Sequence, residues 1–101
     1  MTYPVTATDP GVTRQVLAEN PEMMVVAFRF QTGAKGALHS HKHLQSTYVA
    51  AGRFTFHLGE VDYEIGLGDS LIIPSGVVHG CTCHEAGLLV DTFAPRRDDF
   101  L

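Results

Sequence analysis

The chain is short of positive charge. Lysine and arginine number 7 against 11 aspartates and glutamates, for a formal net charge of −4. No basic stripe or cluster is present, which argues against nucleic acid as a partner. Long apolar runs are also missing. No stretch approaches the roughly 20 residues that a membrane-spanning helix needs, so no membrane partner is expected. The start, Met1-Thr2-Tyr3-Pro4, has neither a basic segment nor an apolar stretch behind it. No secretory leader is expected there, and a cytoplasmic location is. Cysteine is scarce: Cys81 and Cys83 are the only two. On a strand their spacing aims both at one face. A disulfide between them would be strained, and a reducing compartment leaves both as buried thiols. A lone Cys-x-Cys pair is weak ground for a metal clip. Linkers, repeats and low-complexity tracts are absent, so the 101 residues are read as one domain, 1–101.

What is present points to strands. The chain is 45% hydrophobic and 18% charged, enough to bury a core and too apolar to stay disordered. A domain this small calls for extra support from a metal, a dimer interface or both. Met23 to Phe30, Ser46 to Ala51, Arg53 to Leu58 and Ser70 to Ile73 read as strands. Residues 53–66 read as a hairpin around Gly59-Glu60. Val78 to His84 and Leu88 to Phe93 read as a final strand pair around Glu85-Ala86-Gly87. Asp9 to Val16 is the one place for a helical turn. Some nine short strands, with turns every eight to twelve residues, imply an all-β sandwich or barrel. Met23 to Phe28 is a candidate exposed apolar strand for pairing two copies. The ending, Arg96 to Leu101, reads as a solvated tail.

Chemistry concentrates in the histidines. His39 and His41 are two apart, so a strand aims both imidazoles at one face. His43 and Gln45 share that parity. The span from 39 to 45 is roughly 20 Å on a rigid strand, so the chain must bend before Gln45 for one metal to meet these groups. A further ligand must come from elsewhere, and His79 follows the turn Pro74-Ser75-Gly76. Imidazole ligation suits zinc, nickel, manganese, iron or copper. Ordinary surface histidines are the alternative. Three of the six histidines lie within five residues behind a glycine-rich turn, which weighs against it.

Two motifs carry a resemblance. The first runs Gly33, His39, His41, Gln45, Gly52; the second runs Gly68, Pro74, Gly76, His79, Cys83. In this spacing the chain resembles the cupin family. Gln45 stands where that family has glutamate, and Cys83 where it has asparagine. The resemblance implies a single-domain jelly-roll β-barrel with the ligands facing inward. Gln45 has a physical consequence: an amide oxygen leaves the charge of a divalent metal uncompensated. Such a site favours polarising an oxygen of the substrate over redox chemistry with oxygen gas, and it attracts an anionic substrate.

A narrower likeness follows from His39-Ser40-His41-Lys42-His43-Leu44-Gln45, from Tyr48-Val49 and Gly52, and from the ending Asp91 to Leu101. These resemble the cupins of pectin degradation that linearise unsaturated uronic acids. The resemblance implies one divalent transition metal (zinc, nickel, manganese or iron) held by His39, His41, Gln45 and His79. It implies active-site roles for Asp91, Phe93 and Arg97, and conversion of a 4,5-unsaturated galacturonate or mannuronate to its open-chain keto form. It also implies a small-molecule substrate and a homodimer. The residues support part of this on their own. Leu89, Asp91 and Phe93 share a face, and a carboxylate there is costly to bury unless it is paired or faces a cavity. Arg97 can grip a carboxylate with its planar fork. Phe93 either shields a sugar ring or packs in the core. His43 is expected beside the ligands or at the mouth, and His57 and His84 carry no special signal. A cupin dioxygenase, a lyase on another small carboxylated molecule, and a non-catalytic sugar-binding module are the rival functions. Fold alone does not choose among them.

Overall fold

The computed structural model describes residues 2–101. The strands are β1 Val5–Ala7, β2 Val12–Asn20, β3 Met23–Phe30, β4 Lys35–His39, β5 Leu44–Leu58, β6 Val61–Gly66, β7 Ser70–Ile73 and β8 His79–Ala94. One 3₁₀ turn, Asp98–Phe100, follows. The strands alternate inward apolar and outward polar residues, and every pairing is antiparallel. Among the described residues no helix is long and apolar enough to cross a membrane.

Two long strands organise the whole. β5 has 15 residues and β8 has 16. They pair along their length, and the register shifts between Val49 and Phe54. On one side of the shift β1, β2, β3, the end of β8, the start of β5 and β7 lie in order. On the other side lie β4, the start of β8, the end of β5 and β6. The inner faces of the two halves share a core of Val12, Phe30, Val49, Phe54, Phe56, Ile65, Ile73 and Leu89. Phe30 on β3 meets Phe54 on β5 edge-to-face at 5.2 Å, which joins one half to the other. Phe54 is fully buried, a contribution of about 1.5–3 kcal/mol from transfer alone. A second cluster, Val16, Met24, Val26 and Phe93, packs with Phe28 and Phe100.

The observed elements correct the sequence reading at four points. Residues 46–51 and 53–58 are one strand, and so are 78–84 and 88–93 apart from Val78, so the count is eight strands with two of them long. Gly52 and Gly87 mark bulges where the strands pass between halves, not chain reversals. The segment Asp9 to Val16 holds no helix. A turn closes through Val12 N–H to the Asp9 carbonyl at 2.9 Å, Gly11 takes a positive φ of 76°, and β2 begins. The strand Met23 to Phe28 is only partly an exposed apolar face: Met24, Val26 and Ala27 are buried, while Met23 is half exposed and Val25 partly so. The tail is not free in solvent. Phe100 packs edge-on against Phe93 and Phe28, and Arg96 bonds Glu19 at 2.9 Å. Cys81 and Cys83 are free and buried, as expected. Burial pushes the Cys81 thiol up to about 12, so it is a core side chain and not a nucleophile.

Candidate functional site

β4 ends at His39, and the chain then turns through residues 40–43 before β5 begins. His41 therefore sits on this loop and not on a strand with His39, and the turn supplies the bend that the spacing required. His79 opens β8 directly opposite His39. Their rings lie 4.3 Å apart between centroids, and His41 is 4.9 Å from His79. One ring nitrogen from each of the three histidines lies within 4.8 Å of the others.

Hydrogen bonds aim these rings. Nδ1 of His39 lies 2.8 Å from the Ala37 carbonyl, that of His41 3.0 Å from the His43 carbonyl, and that of His79 2.9 Å from the Val77 carbonyl. A carbonyl only accepts, so each Nδ1 carries the proton and donates. Each Nε2 is left with a lone pair. Burial lowers the pKa of His41, and takes that of His79 down to about 4, so both rings are neutral at pH 7. His79 Nε2 is buried and has no hydrogen-bond partner among the described residues.

Gln45 completes the pattern. Its Nε2 donates to Thr47 Oγ1 at 3.0 Å and to Asp91 Oδ2 at 3.2 Å. That turns Oε1 toward His41 Nε2, 2.9 Å away. Two lone-pair acceptors then face each other, an arrangement that favours a cation between them. Three imidazoles and an amide oxygen suit a divalent transition metal. His43 stands beside the set: its carbonyl orients His41, and its ring lies 5.5 Å from the His41 ring.

A cavity of about 290 Å³ adjoins this cluster. His39, Gln45, His79, Asp91, Phe93 and Arg97 all line it, so β4, β5, β8 and the tail converge there. The size is near the lower end for ligand pockets, about 300–1,000 Å³. Asp91 is almost fully buried, and its Oδ1 has no partner among the described residues. Burial pushes this carboxyl up to about 7, with the Thr47 hydroxyl acting the other way. A group at that value can both take and give a proton near neutral pH. Phe93 is buried in the core and also lines the cavity. Arg97 is no loose surface charge. Its Nε and Nη2 donate to Asp99 at 3.0 and 2.9 Å, and its guanidinium lies over the Phe93 and Phe100 rings at 5.3 and 4.2 Å. His57 and His84 lie outside the cavity lining and bond Asp62 and Thr55.

Among the side chains of this cavity that sequence reasoning missed are Phe56, Phe100 and Arg14. Phe56 stacks on His79 at 6.2 Å between centroids with planes 12° apart. Phe100 comes from the tail that reads as solvated. Arg14 comes from β2. The signal for Arg14 was available: with period 2 it falls on the same face as Val12 and Val16, a cation among buried valines.

Comparison with known proteins agrees with this geometry. Residues 26–91 match the Cupin domain family. The chain is 36% identical over 93 residues to the pectin degradation protein KdgF of Dickeya dadantii, covering 90% of this chain and 84% of that one. Among solved structures, an RmlC-like cupin from Shewanella frigidimarina superposes with a TM-score of 0.93 at 38% identity, over 98% of this chain and 89% of the other. KdgF from Halomonas sp. superposes with a TM-score of 0.93 at 35% identity, over 98% and 92%. The eight-stranded fold, the histidine cluster and these matches together establish that the chain belongs to the cupin family.

Proposed function

We propose that this cupin is a metal-dependent enzyme that opens the ring of a 4,5-unsaturated uronate monomer to its keto form. His39, His41, Gln45 and His79 hold the metal, and Asp91, Phe93 and Arg97 act on the substrate. One observation carries this reading: the Gln45 amide presents its oxygen to the His41 imidazole and its N–H to Asp91. A single side chain thus couples a cation site to a buried carboxyl poised near neutrality. The likeness to two KdgF proteins, one named for pectin degradation, supports the substrate class.

When bound, the metal would supply a Lewis acid that polarises a substrate oxygen, with its charge undiminished by the neutral amide of Gln45. The chain's own residues do the rest. Arg97 holds the substrate carboxylate with the N–H groups that Asp99 leaves free, and the Phe93 ring shields the sugar from water. In the reaction the anomeric hydroxyl loses its proton, and the bond from the anomeric carbon to the ring oxygen breaks. The ring oxygen leaves as an enolate, which becomes a ketone as the alkene carbon at position 4 gains that proton. No atom is gained or lost overall. Asp91, in its basic form, takes this proton, and in its acid form it delivers it. Orientation by Arg97 and Phe93 lowers the remaining barrier.

The test is a product analysis. Metal-loaded protein mixed with unsaturated uronate is expected to give the open-chain keto acid by NMR well ahead of the spontaneous rate. Asp91→Asn is expected to slow this by about 10²–10⁴-fold while retaining its metal. An Asp91→Asn protein with normal turnover would remove the proton-transfer role.

A further inference from the structure

Two arginines line the cavity, Arg14 and Arg97. They are placed differently. Arg97 has its Nε and Nη2 edge, the edge best shaped for a carboxylate, committed to Asp99. Arg14 has no ion pair or hydrogen bond among the described residues, and its guanidinium lies over the Phe100 ring at 4.1 Å. Of the two acidic residues that line the cavity, Asp9 turns its Oδ2 to the Ala37 N–H at 3.3 Å and Asp91 its Oδ2 to the Gln45 N–H at 3.2 Å. The five N–H donors of Arg14 therefore have no acceptor among the described residues. Phe100 fixes the geometry, since the same ring lies under Arg97 at 4.2 Å. Both guanidiniums thus stack on one aromatic side chain, and both line the cavity.

We infer that Arg14 is a specificity-determining residue, which takes the carboxylate of a small acidic sugar alongside Arg97. This rests on the uronate reading above and deepens it. Arg14 offers the open bidentate fork that Arg97 does not, and Arg97 adds its remaining N–H groups from the side. The carboxylate is drawn to the Phe100 end of the cavity, and the rest of the sugar lies toward His39, Gln45 and His79. A neutral sugar of the same shape leaves the Arg14 fork unpaired and is rejected.

Calorimetric titration of the metal-loaded protein with galacturonate, and with galactose as its neutral counterpart, tests this directly. Arg14→Gln is expected to weaken galacturonate binding by about 10- to 100-fold, the loss of a charged hydrogen-bonding partner. Galactose binding is expected to stay as in the parent. Arg14→Lys keeps the charge without the fork and is expected to fall between; it serves the same comparison if Arg14→Gln does not fold. Arg29→Gln, an exposed arginine on β3 outside the cavity, is the control and is expected to match the parent. An Arg14→Gln protein that still prefers galacturonate as the parent does would overturn the assignment. Equal weakening of both sugars would overturn it too, because that reports a structural role. A parent that binds galacturonate no better than galactose would also overturn it. A parent whose galacturonate binding depends on Arg14, yet which does not open unsaturated uronate, would leave Arg14 standing and remove the reaction.

Discussion

Asp91 and His79 are both buried against the same cavity, and burial acts on them in opposite senses. It raises the Asp91 carboxyl from 3.8 to about 7 and lowers the His79 imidazole from 6.5 to about 4. Between those limits the folded protein binds the Asp91 proton more tightly than the unfolded chain does, so that term loses stability as pH rises. For His79 the unfolded chain binds the proton more tightly, so that term loses stability as pH falls from 6.5 to 4. Each term, fully developed, is on the order of 3–4 kcal/mol. In the metal-free protein they offset one another across pH 4–6.5. Asp91→Asn removes one of the pair. Thermal melts of metal-free Asp91→Asn are therefore expected to fall more steeply than the parent's between pH 6.5 and 4, and to exceed the parent's above pH 7. Parallel curves would contradict this. At this scale much of the site was legible in the sequence. Imidazoles at His39 and His41 and a carboxylate inside an apolar strand at Asp91 are hard to place anywhere but a site. Arg14 and Phe100 were not read, because an arginine on a strand and an aromatic near a chain end each have an ordinary role as surface or core. Only the fold brings them to one wall.

At the scale of elements, the strands were legible from period-2 alternation, but their continuity was not. Gly52 and Gly87 sit in composition that marks a turn, and Gly52 has a positive φ of 85°. In the fold they let β5 and β8 cross between the two halves with their backbones pressed together. An added Cβ at Gly87 would overlap the Ala51 carbonyl oxygen, and one at Gly52 would overlap the Glu85 carbonyl oxygen and come within 2.7 Å of the Gly87 Cα. Both obstacles are backbone of the partner strand, so no side chain can swing away. The final glycine of the first motif therefore serves this crossing, and it does not touch the site. Gly52→Ala and Gly87→Ala are each expected to lower stability by about 2–4 kcal/mol, measured by denaturant unfolding. A loss within 0.5 kcal/mol, the ordinary size for a surface change, would mean the crossing relaxes easily. The bend before Gln45 was legible by distance alone. The docked tail was not, because its charges Arg96, Arg97, Asp98 and Asp99 read as solvated until Glu19 and the Phe93 ring are seen beside them.

For the molecule as a whole, the proposed metal ligands come from the end of β4, the loop after it, the start of β5 and the start of β8. A bound ion ties segments that are far apart in sequence, and it binds the folded state alone. With metal at a hundredfold excess over its dissociation constant this adds about 2.7 kcal/mol. In a chain of this size that is a rise in Tm on the order of 10–20 °C. Removing metal with a chelator is expected to lower Tm by that amount, and His79→Ala is expected to abolish the difference. An unchanged Tm would place the ion outside the fold's support. The overall all-β class was legible from the strand pattern and the two motifs, since both report on turns and inward-facing residues. The convergence of Asp91, Arg97 and the imidazoles on one cavity follows from the pairing of β3, β5 and β8, which no local pattern encodes.

The most direct measurement is the loss of conjugated-enol absorbance when unsaturated uronate meets the purified, metal-analysed protein, with His41→Ala beside it. The expected result is rapid loss with the parent, and with His41→Ala a rate at the spontaneous level together with lost metal. Absorbance that falls no faster with the parent than in buffer would contradict the proposed reaction.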